Sequence, residues 1–177
     1  MNTHVSQAPN NMEETNAYYP MEQPGELGIR EKEDAMGAYL MMFAAIGAGL
    51  PLPIINLIAA VIYYYINKSS TRFVRFHSLQ ALLATIPTTL LNAGAMFWII
   101  RIFFWDWHVT PAFKGYIIAA ILFNLAYFTI GIIAAIKAHK GVYYYYLFFG
   151  KIAYQNVFSV RQNDTLKKEP VNHPPVL

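Results

Sequence analysis

The sequence predicts an all-α polytopic membrane protein with four transmembrane helices, the first two a short hairpin broken by prolines, and with polar tails. Of its 177 residues, 56% are hydrophobic, and nearly all residues between Ala35 and Ile136 are apolar or neutral. Lys and Arg residues flank the apolar stretches, as in polytopic membrane proteins. The predicted regions are a disordered acidic tail (1–34), a four-helix membrane domain (35–141), an interfacial aromatic segment (142–160) and a polar C-terminal tail (161–177).

The N-terminal tail is polar and acidic. Its first 34 residues hold seven acidic residues and two basic ones, Arg30 and Lys32. Such a segment cannot bury enough apolar surface to offset its ordering entropy, so we expect disorder. Because the first basic residue is Arg30, the pattern of a secretory signal peptide is missing.

The first two predicted helices share one uncharged stretch, residues 35–67. As a single helix it would be about 50 Å long, well beyond a hydrocarbon core of about 30 Å. Pro51 and Pro53 interrupt the helix because each removes a backbone donor. We therefore predict two short helices, 35–50 and 53–67, that form a hairpin; the alternative is one kinked span.

The third predicted helix, 76–100, carries a stripe of small and polar side chains at spacings of three and four. The stripe consists of His77, Ala81, Ala84, Thr88, Asn92 and Ala95. We expect it to pack against other helices, with Asn92 bonding to Asn56 or Asn124. The alternative is a hydrated groove. The fourth predicted helix, 115–136, ends at basic residues that suit the headgroup level.

The segment 72–82 leads into the third helix and contains the densest polar group of the membrane domain. On a helix, Arg72 and Arg75 share one face, whereas Phe76 and Gln80 lie on another. The arginines suit lipid phosphates, and His77 and Gln80 suit hydrogen bonds to a neighbouring helix or a polar cleft. The candidate partner or groove residues are Arg72, Arg75, Phe76, His77, Gln80, Thr88, Asn92 and Asn124.

Aromatic residues mark the two predicted interfaces. Tyrosines at 63–65 and 143–146 indicate one side of the membrane, and the run from Arg101 to Trp107 indicates the other. Arg101 and Asp106 are placed to pair at that second interface.

Charge predicts the orientation. With four spans, eleven of the thirteen Lys and Arg residues lie on the side of both termini, and only Arg101 and Lys114 lie on the other. This bias predicts cytoplasmic termini in a bacterial inner membrane. Three spans would move the N-terminus across and weaken the bias. Because the basic residues flank apolar spans, the predicted partner is a bilayer with anionic headgroups, not nucleic acid.

The residue types disfavour catalysis. The chain has no cysteine, and Asp106 is the only carboxylate between Ala35 and Gln162. Paired acids and carboxylate proton relays are therefore missing from the predicted membrane domain. The five histidines are scattered without the spacing of metal ligands. We predict a non-enzymatic protein without a cofactor or metal site.

Three features carry a resemblance to a known family: the proline-broken hairpin, the phrase Phe76-His77-Ser78-Leu79-Gln80-Ala81-Leu82, and Ala138-His139-Lys140-Gly141. Over about residues 36–155, the chain resembles small four-helix bacterial and archaeal membrane proteins known as membrane domains of unknown function. That family is similar to the core protein-import component of the chloroplast inner envelope and its cyanobacterial relatives. The acidic N-terminal tail departs from the plastid proteins, where a transit peptide is expected.

The resemblance implies a membrane subunit that lies beside or within a protein-translocation assembly, and it carries over no catalytic role. The predicted function is that of a non-enzymatic integral membrane subunit that binds other membrane proteins, as an accessory component of a translocation complex. The alternative is a small transporter or channel lined by the polar stripe of the third helix.

Overall fold

The computed structural model describes residues 18–44, 53–105 and 108–159. They fall into two compact units. Met21–Val157 forms the helical unit, and the described part of the other unit is residues 18–20 and 158–159. Within the described part of that second unit, Tyr18 and Ser159 form an isolated antiparallel bridge.

The described residues are mainly helical. Within them, five α-helices are described in chain order: α1 is Ile29–Leu40, α2 is Pro53–Ile66, α3 is Arg72–Phe104, α4 is Pro111–His139 and α5 is Phe149–Phe158. Short 3₁₀ helices follow α1 at Met41–Phe43 and α2 at Asn67–Ser69. The all-α prediction is confirmed for the residues that the structure describes.

Helix α1 begins at Ile29, six residues before the predicted start at residue 35. Gly28 precedes the helix, and its backbone N–H donates to the Glu31 carboxylate at 2.7 Å. This contact satisfies a donor at the helix end, so the acidic residues stabilise a helix start. Residues 29–34 are therefore helical, contrary to the expected disorder. The predicted hairpin tip at 47–53 lies almost wholly outside the described residues.

Helix α2 packs closely on α1 through an aromatic contact. The predicted helix 53–67 is observed as Pro53–Ile66. The Tyr63 hydroxyl donates to the Asp34 carbonyl at 2.7 Å. A side chain in place of the Gly37 hydrogen would collide with the Tyr63 hydroxyl, so a glycine permits this approach.

Helices α3 and α4 are longer than predicted, 33 and 29 residues. They extend beyond the predicted 76–100 and 115–136 at both ends. At the start of α4, Pro111 takes the first position and the Thr110 hydroxyl accepts from the Phe113 N–H at 3.2 Å. Both helices are long and apolar enough to cross a membrane, and among the described residues no other helix is. The four-span prediction is not confirmed.

The core lies where the first half of α3 meets the second half of α4 and α1. Tyr39, Phe73, Val74, Ala134 and Ala138 are buried there. The other halves of α3 and α4 expose large apolar side chains instead, among them Leu90, Phe97, Phe103, Ile118 and Leu122. Such a continuous apolar surface is typical of contact with lipid. The two long helices therefore extend from a packed end to an apolar end.

Candidate functional site

Gln80 is the centre of the polar site at the packed end. Its side chain is fully buried on α3. The amide oxygen accepts from the Tyr146 backbone N–H at 3.2 Å. The amide nitrogen donates to the Tyr144 carbonyl at 2.8 Å and to the Tyr39 hydroxyl at 2.7 Å. Since a backbone N–H only donates and a carbonyl only accepts, these contacts fix the orientation of the amide.

A hydrogen bond joins the same phenol to His77. The Tyr39 oxygen accepts from the Gln80 amide at 2.7 Å and lies 2.8 Å from His77 Nδ1. His77 Nε2 is buried without a hydrogen-bond partner among the described residues. Gln80, Tyr39 and His77 thus form a chain of hydrogen bonds inside the packed end.

Aromatic rings enclose His77. The ring centroids of Phe73, Phe76 and Tyr143 lie 4.5, 5.1 and 5.7 Å from its own, with Tyr143 stacked. His77 is fully buried. An imidazole in this position supports packing and is closed to an incoming solute.

A left-handed glycine brings the tyrosine segment back to Gln80. Gly141 has φ of 75° after the end of α4, and its N–H donates to the Ala138 carbonyl at 2.9 Å. This conformation reverses the chain and favours glycine. The tyrosine segment, residues 143–146, then returns along α3 instead of continuing away from it.

Gly150 allows α5 to approach the same point. A methyl group at Gly150 would lie 2.9 Å from both the Gln80 amide oxygen and the Tyr145 Cα. The second of these atoms is backbone and cannot rotate away. The Gln80 amide thus holds the tyrosine segment against α3, and Gly150 allows α5 to pack close to both.

Tyr143 connects this segment to the chain before α1. Its hydroxyl donates to the Glu22 carboxylate at 2.5 Å. Burial and the Glu22 carboxylate raise the pKa of Tyr143 above its ordinary value. The neutral phenol is therefore the form that the folded protein holds.

The predicted candidate residues separate into three groups. The first group lies near the start of α3, where Phe76, His77 and Gln80 gather at the polar site and Arg72 and Arg75 are half-buried. The second is Thr88, which is buried and donates to the Ala84 carbonyl of its own helix at 3.3 Å. The predicted stripe therefore does not form one continuous polar surface.

The third group is a pair of asparagines farther along the helices. Asn92 and Asn124 exchange two hydrogen bonds of 2.9 and 2.7 Å between α3 and α4. Asn124 also donates to the Ala120 carbonyl at 2.8 Å. The two side-chain amides hydrogen-bond to each other, which favours helix packing over a hydrated groove.

Sequence reasoning missed the tyrosine partners of Gln80. Tyr39 is the single polar side chain in the apolar run 38–46, which is the one signal that could have identified it. The carbonyl of Tyr144 and the N–H of Tyr146 are backbone groups, so residue type gives no sign of them. The predicted pair of Arg101 and Asp106 stays a prediction, because Asp106 lies outside the described residues.

Metal-binding groups do not gather in the described part of the chain. No three His, Cys, Asp or Glu side chains lie close enough there to hold an ion. The Gln80 site itself offers amide, phenol and imidazole groups, already bonded to one another. This arrangement suits the fastening of segments to each other.

One family model matches the chain, over residues 32–153, and its description is Magnetosome magnetite crystal formation protein family, MamF/MmsF. The match covers more than half of the chain and includes Gln80 and its hydrogen-bond partners Tyr39, Tyr144 and Tyr146. No curated protein and no solved structure matches the chain significantly. The match supports the prediction of a small helical membrane protein, and it does not show the expected similarity to the chloroplast import component. The chain belongs to the MamF/MmsF family of magnetosome magnetite crystal formation proteins.

Proposed function

We propose that this chain is a non-enzymatic integral protein of the magnetosome membrane and takes part in magnetite crystal formation by binding other membrane proteins there. The observation that carries the proposal is the family match over residues 32–153. It extends from α1 into α5 and so covers the packed end and both long helices.

The exposed apolar surface supports a place within the membrane. Leu90 is 68% exposed on α3, and Leu122 is 62% exposed on α4. In water, burial of each such side chain would gain about 1.5–3 kcal/mol. A bilayer covers this surface along both helices, and a partner helix could cover part of it.

The site chemistry supports a role in assembly. Iron is held in proteins by carboxylates, imidazoles or thiolates, and no such cluster gathers in the described part of the chain. The polar groups around Gln80 bond to one another in the folded chain. We propose that the contribution to crystal formation is made through protein contacts.

The distribution of charge supports cytoplasmic termini. Arg72 and Lys137 lie at the packed ends of α3 and α4, and Arg101 and Lys114 lie at the opposite ends. Most of the remaining basic residues belong with the packed end under the predicted topology. We do not propose a role in protein translocation, because the family description concerns crystal formation.

Deletion of the gene in its magnetosome-forming bacterium tests the proposal. We expect magnetite crystals of altered size or shape in electron micrographs, restored when the wild-type chain is expressed again. A variant with Thr129→Val, a change at an exposed position of α4, should restore them equally. Crystals with unchanged dimensions in the deletion strain would contradict the proposal.

Co-purification tests the protein contacts. The tagged chain, extracted from isolated magnetosomes in mild detergent, should carry other membrane proteins of that compartment in fixed proportion. Recovery of the chain alone would remove the contact mechanism even if the crystals changed.

A further inference from the structure

An apolar groove lies between α3 and α4 and is closed at one end by the tyrosine segment. Its volume is about 460 Å³, within the range of small-molecule sites. Its lining includes Ala84, Pro87, Phe123, Ala126, Tyr127 and Phe148. A long, narrow apolar molecule suits such a lining better than a polar solute.

The groove begins just inside the expected hydrocarbon boundary. On α3, residues 81–100 carry no charge, and twenty residues span about 30 Å, the thickness of the hydrocarbon core. Gln80 therefore lies near the boundary, and Ala84 and Pro87 lie one to two turns below it. On α4, Lys137 ends the apolar stretch at the same end of the bundle. The groove is thus at the depth of lipid acyl chains.

Tyr146 lines the groove and carries a buried hydroxyl. Its side chain is 9% exposed, and its hydroxyl is buried without a hydrogen-bond partner among the described residues. It lines both the apolar groove and a neighbouring cavity of about 470 Å³. A buried hydroxyl without a hydrogen-bond partner costs free energy, so a ligand that accepts a hydrogen bond from it would be bound more tightly.

The neighbouring cavity adds a positive charge. Lys151 and Tyr154, both on α5, line it together with Tyr146. Lys151 is exposed, and its flexible chain can carry the ammonium group to the headgroup level. From groove to cavity, the lining therefore changes from apolar side chains, through the shared Tyr146, to the cationic Lys151.

We propose that this groove is a binding site for one anionic glycerophospholipid. An acyl chain lies between α3 and α4, the ester carbonyl accepts from the Tyr146 hydroxyl, and the headgroup phosphate contacts Lys151. The order of apolar, acceptor and anionic parts in such a lipid matches the order of the lining. The site requires only that the chain lie in a membrane, and it does not depend on the proposed role in crystal formation.

Native mass spectrometry of the full chain tests the site. The protein, purified in mild detergent, is supplied with equal amounts of phosphatidylglycerol and phosphatidylcholine, and the fraction that retains each lipid is measured. We expect retention of one phosphatidylglycerol in preference to phosphatidylcholine. Lys151→Gln and Tyr146→Phe should each weaken retention about fivefold, from the loss of one charge contact or one hydrogen bond.

Ala126→Phe fills the groove from an exposed position of α4, so it should abolish retention without disturbing the core. Ala119→Phe, also exposed on α4 but outside the groove lining, is the matched control and should retain lipid as the wild type does. Equal melting temperatures confirm that the variants are folded.

Three results would overturn the proposal: equal retention of the two lipids by the wild type, retention unchanged in all three groove variants, or equal loss in Ala126→Phe and Ala119→Phe. Inorganic phosphate, which offers the anion without the chain, should not displace the phospholipid at equal concentration. Displacement would identify a phosphate site in place of a lipid site.

Discussion

Gln80→Leu should destabilise the protein more than any other single change of a polar side chain in α3. Leucine is close to glutamine in size, so the change removes hydrogen bonds with little change of volume. It leaves the Tyr144 carbonyl and the Tyr146 N–H without their partner inside the packed end. Each buried backbone group without a partner costs about 1–3 kcal/mol.

The expected loss combines two costs and one gain. The two groups together give about 2–6 kcal/mol, and the 3.2 Å bond from Tyr146 is long, which lowers its share. Burial of the added apolar surface returns about 1 kcal/mol. We therefore expect Gln80→Leu to lower the free energy of unfolding by about 3 kcal/mol.

Unfolding in mixed micelles, followed by circular dichroism, measures this change. Thr129→Val is the control, because the Thr129 hydroxyl bonds only to the Leu125 carbonyl of its own helix at an exposed position. We expect the control to stay within about 0.5 kcal/mol of the wild type. A loss below about 1 kcal/mol for Gln80→Leu would refute the view that this amide holds the tyrosine segment.

Three further changes test other parts of the account. Gly150→Ala should lower the unfolding free energy by about 1–3 kcal/mol, because the added methyl group would lie too close to the Tyr145 backbone. Gly115→Ala is the control and should not lower it, because Gly115 has open space around it. Equal melting temperatures of the two variants would contradict this prediction. Asn92→Leu should cost only about 0.6 kcal/mol in the same micelle titration, and a loss as large as that of Gln80→Leu would count against our ranking. The pKa of Tyr143 is raised in the folded state, so its contribution is present below the unfolded pKa of about 10 and is lost as the pH rises above it. Tyr143→Phe should therefore reduce the loss of stability between about pH 9 and pH 11, and an unchanged pH profile would disprove this.

Local periodicity predicted the helices well where the sequence is uniform. Helix α2 and the central parts of α3 and α4 follow from the apolar runs and their flanking charges. The bond between Asn92 and Asn124 was one of two predicted options, because amides in apolar helices seek each other. The ends of the helices extend farther than hydropathy indicates, since capping groups such as Glu31 act outside the apolar runs.

The polar site could not be predicted, because its contacts join distant residues. Gln80 bonds to Tyr39 and Tyr144, which lie 41 and 64 positions away. Only the turn at Gly141 decides that the tyrosine segment returns to α3. Without that turn, a run of tyrosines is typical of a membrane interface, as the sequence suggested.

The family was predicted only in part for a related reason. A short motif around Gln80 and a pattern of apolar helices occur in many small membrane proteins. They were enough to predict a membrane protein, but they were too general to support the predicted similarity to the chloroplast import component. The family match over residues 32–153 covers most of the helical unit.

Fractionation of isolated magnetosomes tests the central claim most directly. The tagged full-length chain is expressed in its own magnetosome-forming bacterium, and the purified magnetosomes are washed with alkaline carbonate before detergent. The account predicts that the chain stays with the membrane around the crystals through the carbonate wash and is released by detergent. Release by carbonate, or recovery of the chain only in other membranes, would contradict it.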